Sequence, residues 1–187
     1  MTTYDKPFPT GTPAWVDLAT SDREASWAFY SAVLGWEIED TGEQTHHYGL
    51  ARLEGSVVAG IWQPPEEQRG PVAWVTYLAT PDAAATARAI EEHGGRLIFP
   101  PIEVPFQGWM ALAADPTGGV FGVWQALDRV GYERANEPGT VVWNELLTRD
   151  TAAARDFYGK VFGLTFTSLP GVDIDYTTID GEGPGNT

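Results

Sequence analysis

Residues 13–36 read PAWVDLATSDREASWAFYSAVLGW, and residues 140–164 read TVVWNELLTRDTAAARDFYGKVFGL. Counted from an aspartate, Asp22 or Asp150, both stretches have a Trp seven residues earlier, Phe-Tyr seven and eight residues later, and a Gly thirteen residues later. A fainter copy, LATPD, ends at Asp82. Because self-similarity along a chain marks repeated structural units, we expect three related modules.

Each copy predicts a strand followed by a helix. Apolar residues alternate with others over residues 14–19, which is the period of a strand. Ser21 then starts a capping box, apolar residues recur at i, i+4 spacing, and Gly35 stands where a helix would stop. In the second copy Thr80 is the expected N-cap residue.

Three short strand-like runs follow each of the first two helices, and the last run repeats as VAGIWQ and VFGVWQ. The repeating unit is therefore βαβββ, which predicts an α+β fold. We expect modules at 13–63 and 71–127 within a domain 1–127, a linker 128–139, and an incomplete second domain 140–187 that lacks a fourth strand. Such a half domain should not close a cup alone, and should pack on the first domain, another chain or a missing fourth module.

Composition restricts the partners. The formal net charge is −15, the only lysines are Lys6 and Lys160, and there is no cysteine. A surface of this sign disfavours nucleic acid and anionic membranes. The N-terminus lacks an apolar signal region and no run is long enough to span a bilayer, so we expect a cytoplasmic protein.

The strand, the helix carrying FYSAVLGW, the three strands and the DPTGG turn resemble the vicinal oxygen chelate superfamily, which includes glyoxalase I, bleomycin resistance proteins and extradiol dioxygenases. The tandem arrangement is most similar to two-domain, glyoxalase-like proteins of actinobacteria. The resemblance implies that two βαβββ modules pair around a pseudo-twofold axis, with their mixed sheet curled into a cup and the helices outside.

The same resemblance implies where metal ligands would stand. In metal-dependent members one ligand lies seven residues before the helix-starting Asp, and another lies four residues past the Gly of the DPxG turn. Here those positions hold Trp15 and Val75, and Gly60 and Gly122. None of these side chains can bind a metal, so we expect no metal and no cofactor.

Strand alternation assigns residues to the cup. If Trp15 faces inward, so does Asp17, and the same reasoning on the other strands predicts a lining of Trp15, Asp17, Trp62, Tyr77 and Trp124, with open floor at Gly60 and Gly122. Aromatic walls with few polar groups are typical of small-molecule pockets. The alternative is that these tryptophans are ordinary core residues.

Three residues are candidates for catalysis. A carboxylate among indoles would be desolvated, which suits Asp17 as a general base, and Tyr77 could donate a hydrogen bond to an oxyanion. Glu145 occupies the corresponding position of the third module. His47, or its neighbour His46, is a candidate ligand-binding residue at the cup, the alternative being a solvated turn.

The leading hypothesis is a metal-independent cup that binds a small aromatic or partly apolar molecule, in secondary-metabolite tailoring or drug resistance. Binding alone and cofactor-free catalysis are both open. The alternative is a glyoxalase I-like lyase or a dioxygenase with a divalent metal at non-standard ligands. Beyond the small-molecule ligand, the partner we expect is a second copy of the chain or a missing C-terminal module.

Overall fold

The computed structural model describes residues 3–171 and 173–180. They contain two complete βαβββ modules, then a further helix and a hairpin. Module one consists of β1 (Pro13–Ala19), α1 (Arg23–Leu34), β2 (Glu37–Asp40), β3 (Gly49–Leu53) and β4 (Ser56–Trp62). Module two consists of β5 (Ala73–Ala79), α2 (Ala83–Glu92), β6 (Arg96–Val104), β7 (Gly108–Ala114) and β8 (Val120–Ala126).

The two modules have the same strand order. β2, β3 and β4 pair antiparallel, and β4 lies parallel to β1. In module two β6, β7 and β8 pair antiparallel, and β8 lies parallel to β5. A parallel pair needs a long connection, which the intervening helix and strands supply. The predicted α+β fold class of tandem βαβββ modules is confirmed.

An aspartate begins each helix. The carboxylate accepts a hydrogen bond from the backbone N–H three residues later in Asp22, Asp82 and Asp150. The predicted N-caps at Ser21 and Thr80 are therefore wrong, because an ionised carboxylate is the better acceptor at the positive end of a helix. Thr80 instead accepts the backbone N–H of Asp82. The predicted stop at Gly35 is confirmed by its left-handed φ of 72°.

One face of the module-one sheet packs against α1. Val16 and Leu18 of β1 lie in a buried cluster with Ile61 of β4, and Trp27 and Tyr30 of α1 pack on it. Since side chains alternate along a strand, Asp17 points to the opposite face of the sheet. The predicted orientation of β1 is thus confirmed.

The third helix, α3 (Thr151–Phe162), packs on module two. Its Phe157 and Phe162 are buried in one cluster with Ile90 of α2 and Phe121 of β8. Of the packing partners that we consider for the third module, the first domain is therefore the one observed for this helix.

The predicted first strand of the third module is wrong. Residues 141–148 are irregular, whereas β1 and β5 each lie parallel to the fourth strand of their own module. The described part of the third module contains the antiparallel pair β9 (Thr165–Ser168) and β10 (Thr177–Asp180), and no fourth strand. Within the described residues, 141–148 therefore lack a fourth strand of their own module with which to pair in parallel. Residues 181–187, at the position where a fourth strand would follow β10, lie outside the described residues.

The chain forms two compact units. One unit contains Trp15–Thr76, Tyr132–Trp143 and the described residues before Pro7. The other unit contains Pro7–Ala14, Tyr77–Gly131 and the described residues from Asn144 onward. The domain boundaries after residues 127 and 139 stay a prediction. Among the helices in the described part of the chain, none is long and apolar enough to cross a membrane.

Candidate functional site

The face of module one opposite α1 has Asp17 near its centre. Asp17 lies beside Gly60 of β4 and is only 6% exposed. Tyr48, just before β3, holds its hydroxyl between two partners. The hydroxyl accepts a hydrogen bond from the indole N–H of Trp15 at 3.0 Å and donates one to Oδ2 of Asp17 at 3.4 Å. A phenol has a single proton to donate, so this arrangement directs it to the carboxylate.

Gly60 makes room for Tyr48. A Cβ atom at position 60 would overlap the Tyr48 hydroxyl, so the predicted open floor at Gly60 is wrong. Tyr48 is the site residue that sequence reasoning missed. A glycine inside a strand often marks the close approach of another group, and that signal could have indicated a covering side chain. Trp62, two residues beyond Gly60 on the same face, is partly exposed.

Module two repeats the pairing of a tyrosine with a glycine. Tyr77 lies beside Gly122 of β8, and a Cβ atom at position 122 would overlap the Tyr77 ring. The floor predicted to be open at Gly122 is therefore covered as well. Tyr77 and Trp124 are 5% and 7% exposed, and the Trp124 indole N–H donates to the carbonyl of Arg129 at 3.0 Å.

His47 lies at the surface. Its Nδ1 is 2.9 Å from Oδ2 of Asp40. Two hydrogen bonds lower the pKa of the Asp40 carboxyl: the larger effect comes from the backbone N–H of Gly42, and the smaller comes from the His47 side chain. His47 also borders an open cleft of about 400 Å³. The cleft lining includes neither Trp15 nor Asp17, and it consists of Asp22, Arg23, Glu24, His46, His47, Gln63, Pro64, Pro65 and Arg69.

Glu145 does not lie on a strand, contrary to the expectation from the repeat. It is exposed within the irregular segment 141–148. Its carboxylate is therefore in contact with water, whereas the carboxylate of Asp17 is buried. The role of Glu145 as a general base stays a prediction.

A family comparison gives the chain its classification. The model described as "Glyoxalase/Bleomycin resistance protein/Dioxygenase superfamily" matches residues 12–123, which run from β1 into β8. The chain belongs to this superfamily. The match covers module one and all of module two except the end of β8, and it confirms the resemblance inferred from the repeated motifs.

The relatives come from actinobacteria. The chain is 39% identical to "Putative glyoxylase CFP32" of Mycobacterium tuberculosis over 166 residues, which are 87% of this chain and 64% of that protein. It is 37% identical to the anthracycline biosynthesis protein DnrV of Streptomyces peucetius over 183 residues, covering 88% of this chain and 66% of the relative. The chain thus spans about two thirds of the length of these curated relatives.

Solved structures support the fold. The Mn(II)-bound glyoxalase from Novosphingobium aromaticivorans matches with a TM-score of 0.60 at 18% identity, over 85% of this chain and 55% of that one. A mutant of 4-hydroxymandelate synthase from Streptomyces coelicolor matches with a TM-score of 0.61 at 15% identity, over 96% and 62%. At these identities the likeness concerns the fold alone.

The superfamily's metal positions do not fit a metal in this chain. Trp15 and Val75 supply no ligand atom, and Tyr48 and Tyr77 occupy the space in front of the two fourth-strand glycines. Zinc, nickel, iron and manganese sites need imidazole or carboxylate groups at such positions. Within residues 3–171 and 173–180, no three His, Asp or Glu side chains come together as a potential metal site.

Proposed function

We propose that this protein binds a small, flat, aromatic or partly apolar molecule at the face of module one that carries Asp17, without a divalent metal at the superfamily's ligand positions. The observation that carries the proposal is the group formed by Trp15, Tyr48 and Asp17 over Gly60. Hydrogen-bonding aromatic side chains stand where metal-dependent members hold their ligands.

The chemistry of this face favours an aromatic ligand. Trp62 is partly exposed, lies two residues beyond Gly60 on the same face, and offers a ring for stacking. The Tyr48 hydroxyl directs its proton to the buried Asp17 carboxylate and offers its oxygen to a ligand as a hydrogen-bond acceptor. The net charge of −15 favours neutral or cationic ligands over anionic ones.

The names of two relatives suggest a ligand class. DnrV and DauV, 37% and 36% identical to this chain, are both named anthracycline biosynthesis proteins. Anthracyclines are flat, fused-ring molecules with phenol and quinone oxygens, and some carry a cationic amine. Such a ligand would stack on Trp62 and donate a phenol or ammonium hydrogen bond to the Tyr48 hydroxyl oxygen. We therefore propose a role in secondary-metabolite tailoring or in drug resistance.

Asp17 distinguishes a tailoring enzyme from a binding protein. In an enzyme its carboxylate would accept a proton from the bound phenol or an acidic C–H group, and Tyr48 would keep the carboxylate oriented through its hydrogen bond. The alternative function is a glyoxalase I-like lyase or a dioxygenase with a metal at non-standard ligands, which the name of CFP32 favours.

The test is a fluorescence titration of chelator-treated protein with doxorubicin, an anthracycline, and with 1,4-dihydroxyanthraquinone, which has the flat ring system alone. We expect saturable binding that EDTA leaves unchanged. Trp62→Leu should raise the Kd about 5- to 150-fold, because a stacked ring is worth roughly 1–3 kcal/mol. Trp109→Leu, which removes an exposed Trp on β7, is the matched control and should leave the Kd unchanged.

Two results would overturn the proposal. One is binding that responds equally to Trp62→Leu and Trp109→Leu, which would indicate nonspecific stacking. The other is binding or turnover that chelation abolishes and Mn²⁺, Ni²⁺ or Zn²⁺ restores. Metal-dependent conversion of the hemithioacetal of glutathione and methylglyoxal would establish the lyase alternative.

A further inference from the structure

The outer side of α1 is an exposed apolar surface. Phe29 and Val33 are 57% and 61% exposed, and Trp74 is 39% exposed. The ring centroids of Phe29 and Tyr30 lie 5.1 Å apart, and those of Tyr30 and Trp74 lie 5.3 Å apart. The Trp74 indole N–H donates to the Tyr30 hydroxyl at 2.9 Å, which orders the rings. We call Phe29, Tyr30, Val33 and Trp74 the α1 patch.

A contiguous exposed apolar patch of this kind commonly marks a binding surface. Large aromatic residues supply much of the binding energy at protein interfaces. The helix α1 has no buried residue, whereas α2 has four and α3 has three, so more of the apolar surface of α1 is left uncovered.

The sequence repeat supplies a template for what the α1 patch contacts. Phe29 and Val33 lie seven and eleven residues after Asp22, and Phe157 and Val161 lie seven and eleven residues after Asp150. Phe157 is 1% exposed, and Val161 packs on the same buried cluster of module two.

The partner surface of α3 is well defined. Phe157 packs edge-on against Phe121 of β8, with centroids 6.0 Å apart, and shares its buried cluster with Ile90 of α2. Gly95, just after α2, leaves space for it, because a Cβ atom there would lie 2.9 Å from the Phe157 ring. The receiving surface thus combines the helix and the fourth strand of a βαβββ module.

We propose that the α1 patch binds a fourth βαβββ module, which receives Phe29 and Val33 as module two receives Phe157 and Val161. The same residue types at the same helix positions need the same kind of partner. A second copy of this chain fits less well, because its module-two surface already holds its own α3. About a third of the length of CFP32 and DnrV lies outside the match, which leaves room for one more module.

Thiol labelling tests the proposal, since the chain has no cysteine. Val33→Cys places a thiol in the α1 patch, and Arg88→Cys places one at an exposed position of α2 as the matched control. Each variant is made in the 187-residue chain and in the protein from the complete reading frame of its gene. Labelling by dithionitrobenzoate is followed at each position by peptide mass spectrometry.

We expect both positions to label at similar rates in the 187-residue chain. In the complete protein, labelling at position 33 should slow at least about tenfold, because an interface thiol reacts only when the interface opens, while position 88 is unaffected. A reading frame without a fourth βαβββ module, or unchanged labelling at position 33 in the complete protein, would overturn the proposal. Dimerisation of the 187-residue chain that protects position 33 would also overturn it, in favour of a second copy.

Discussion

Replacement of one phenylalanine in each of two equivalent helices tests how α1 and α3 differ. Phe157 and Phe29 occupy the same repeat position, but they are 1% and 57% exposed. Phe157→Ala should lower the free energy of unfolding by about 3–5 kcal/mol, since it removes the buried ring and leaves a cavity among Ile90, Phe121 and Phe162.

Phe29→Ala should cost under about 1 kcal/mol. Most of its ring is already in water, so little apolar surface is lost from the interior, and Ala has the higher helix propensity. For a chain of this length, 1 kcal/mol corresponds to roughly 2–4 °C in Tm. The two variants should therefore differ by about 5 °C or more.

Guanidinium unfolding of the 187-residue chain, followed by far-UV circular dichroism, measures both free-energy costs, and thermal melts followed in the same way measure the difference in Tm. Phe157→Leu gives a graded variant that keeps most of the volume and should cost about 1–1.5 kcal/mol, so the comparison survives if Phe157→Ala does not fold. Equal costs at positions 29 and 157 would refute the packing described for α3. The proposal that the α1 patch binds a module in the way that α3 binds module two would then lose its basis.

Three further outcomes are expected. Gly60→Ala should lower the free energy of unfolding by about 1–3 kcal/mol, because the added methyl group displaces the Tyr48 hydroxyl. Gly70 has open space around it, so the control Gly70→Ala should change the free energy of unfolding by no more than about 0.5 kcal/mol. Equal effects of the two variants in thermal melts would contradict the contact between Gly60 and Tyr48. Burial and the neighbouring Asp115 carboxylate raise the pKa of Tyr158, so the unfolded chain loses this proton first, and Tyr158 should lower stability above about pH 10 by up to about 1.4 kcal/mol per pH unit. Burial raises the pKa of Tyr132 as well, so Tyr158→Phe should reduce the slope of stability against pH without abolishing it. An unchanged slope in pH-dependent unfolding would argue against the shift at Tyr158. Asp17→Asn should leave the Kd for doxorubicin within about threefold in a binding protein, and should lower turnover at least about a hundredfold in an enzyme; full turnover in the variant would exclude Asp17 as the base.

Much of the fold was predictable because it is locally encoded. Strand alternation correctly placed Val16 and Leu18 on the α1 side of β1 and Asp17 on the opposite face. The repeated VAGIWQ and VFGVWQ runs identified the fourth strands, and the parallel register sets Gly60 beside Asp17 and Gly122 beside Tyr77. These features depend on periodicities of two and 3.6 residues, which a sequence displays directly.

The site was predicted less completely. Asp17 and Trp15 could be identified from their strand positions, but their partner Tyr48 precedes β3 outside any repeated motif. It reaches Gly60 because β3 pairs with β4, a contact between segments that only the folded sheet brings together. His47, two residues from the start of the same strand, instead turns to Asp40 at the surface.

The sequence by itself determined the order of elements in modules one and two, the faces of the inner strands and the replacement of residues at the superfamily's metal positions, because each of these depends on the identity and spacing of nearby residues. Only the tertiary structure decided that residues 141–148 are not a strand, that Tyr48 covers Gly60, and that Phe157 is buried while Phe29 is exposed. These outcomes depend on which distant segment is available as a partner. A strand needs another strand to satisfy its backbone groups, and an apolar ring needs a surface that excludes water, so equivalent sequences end in different environments.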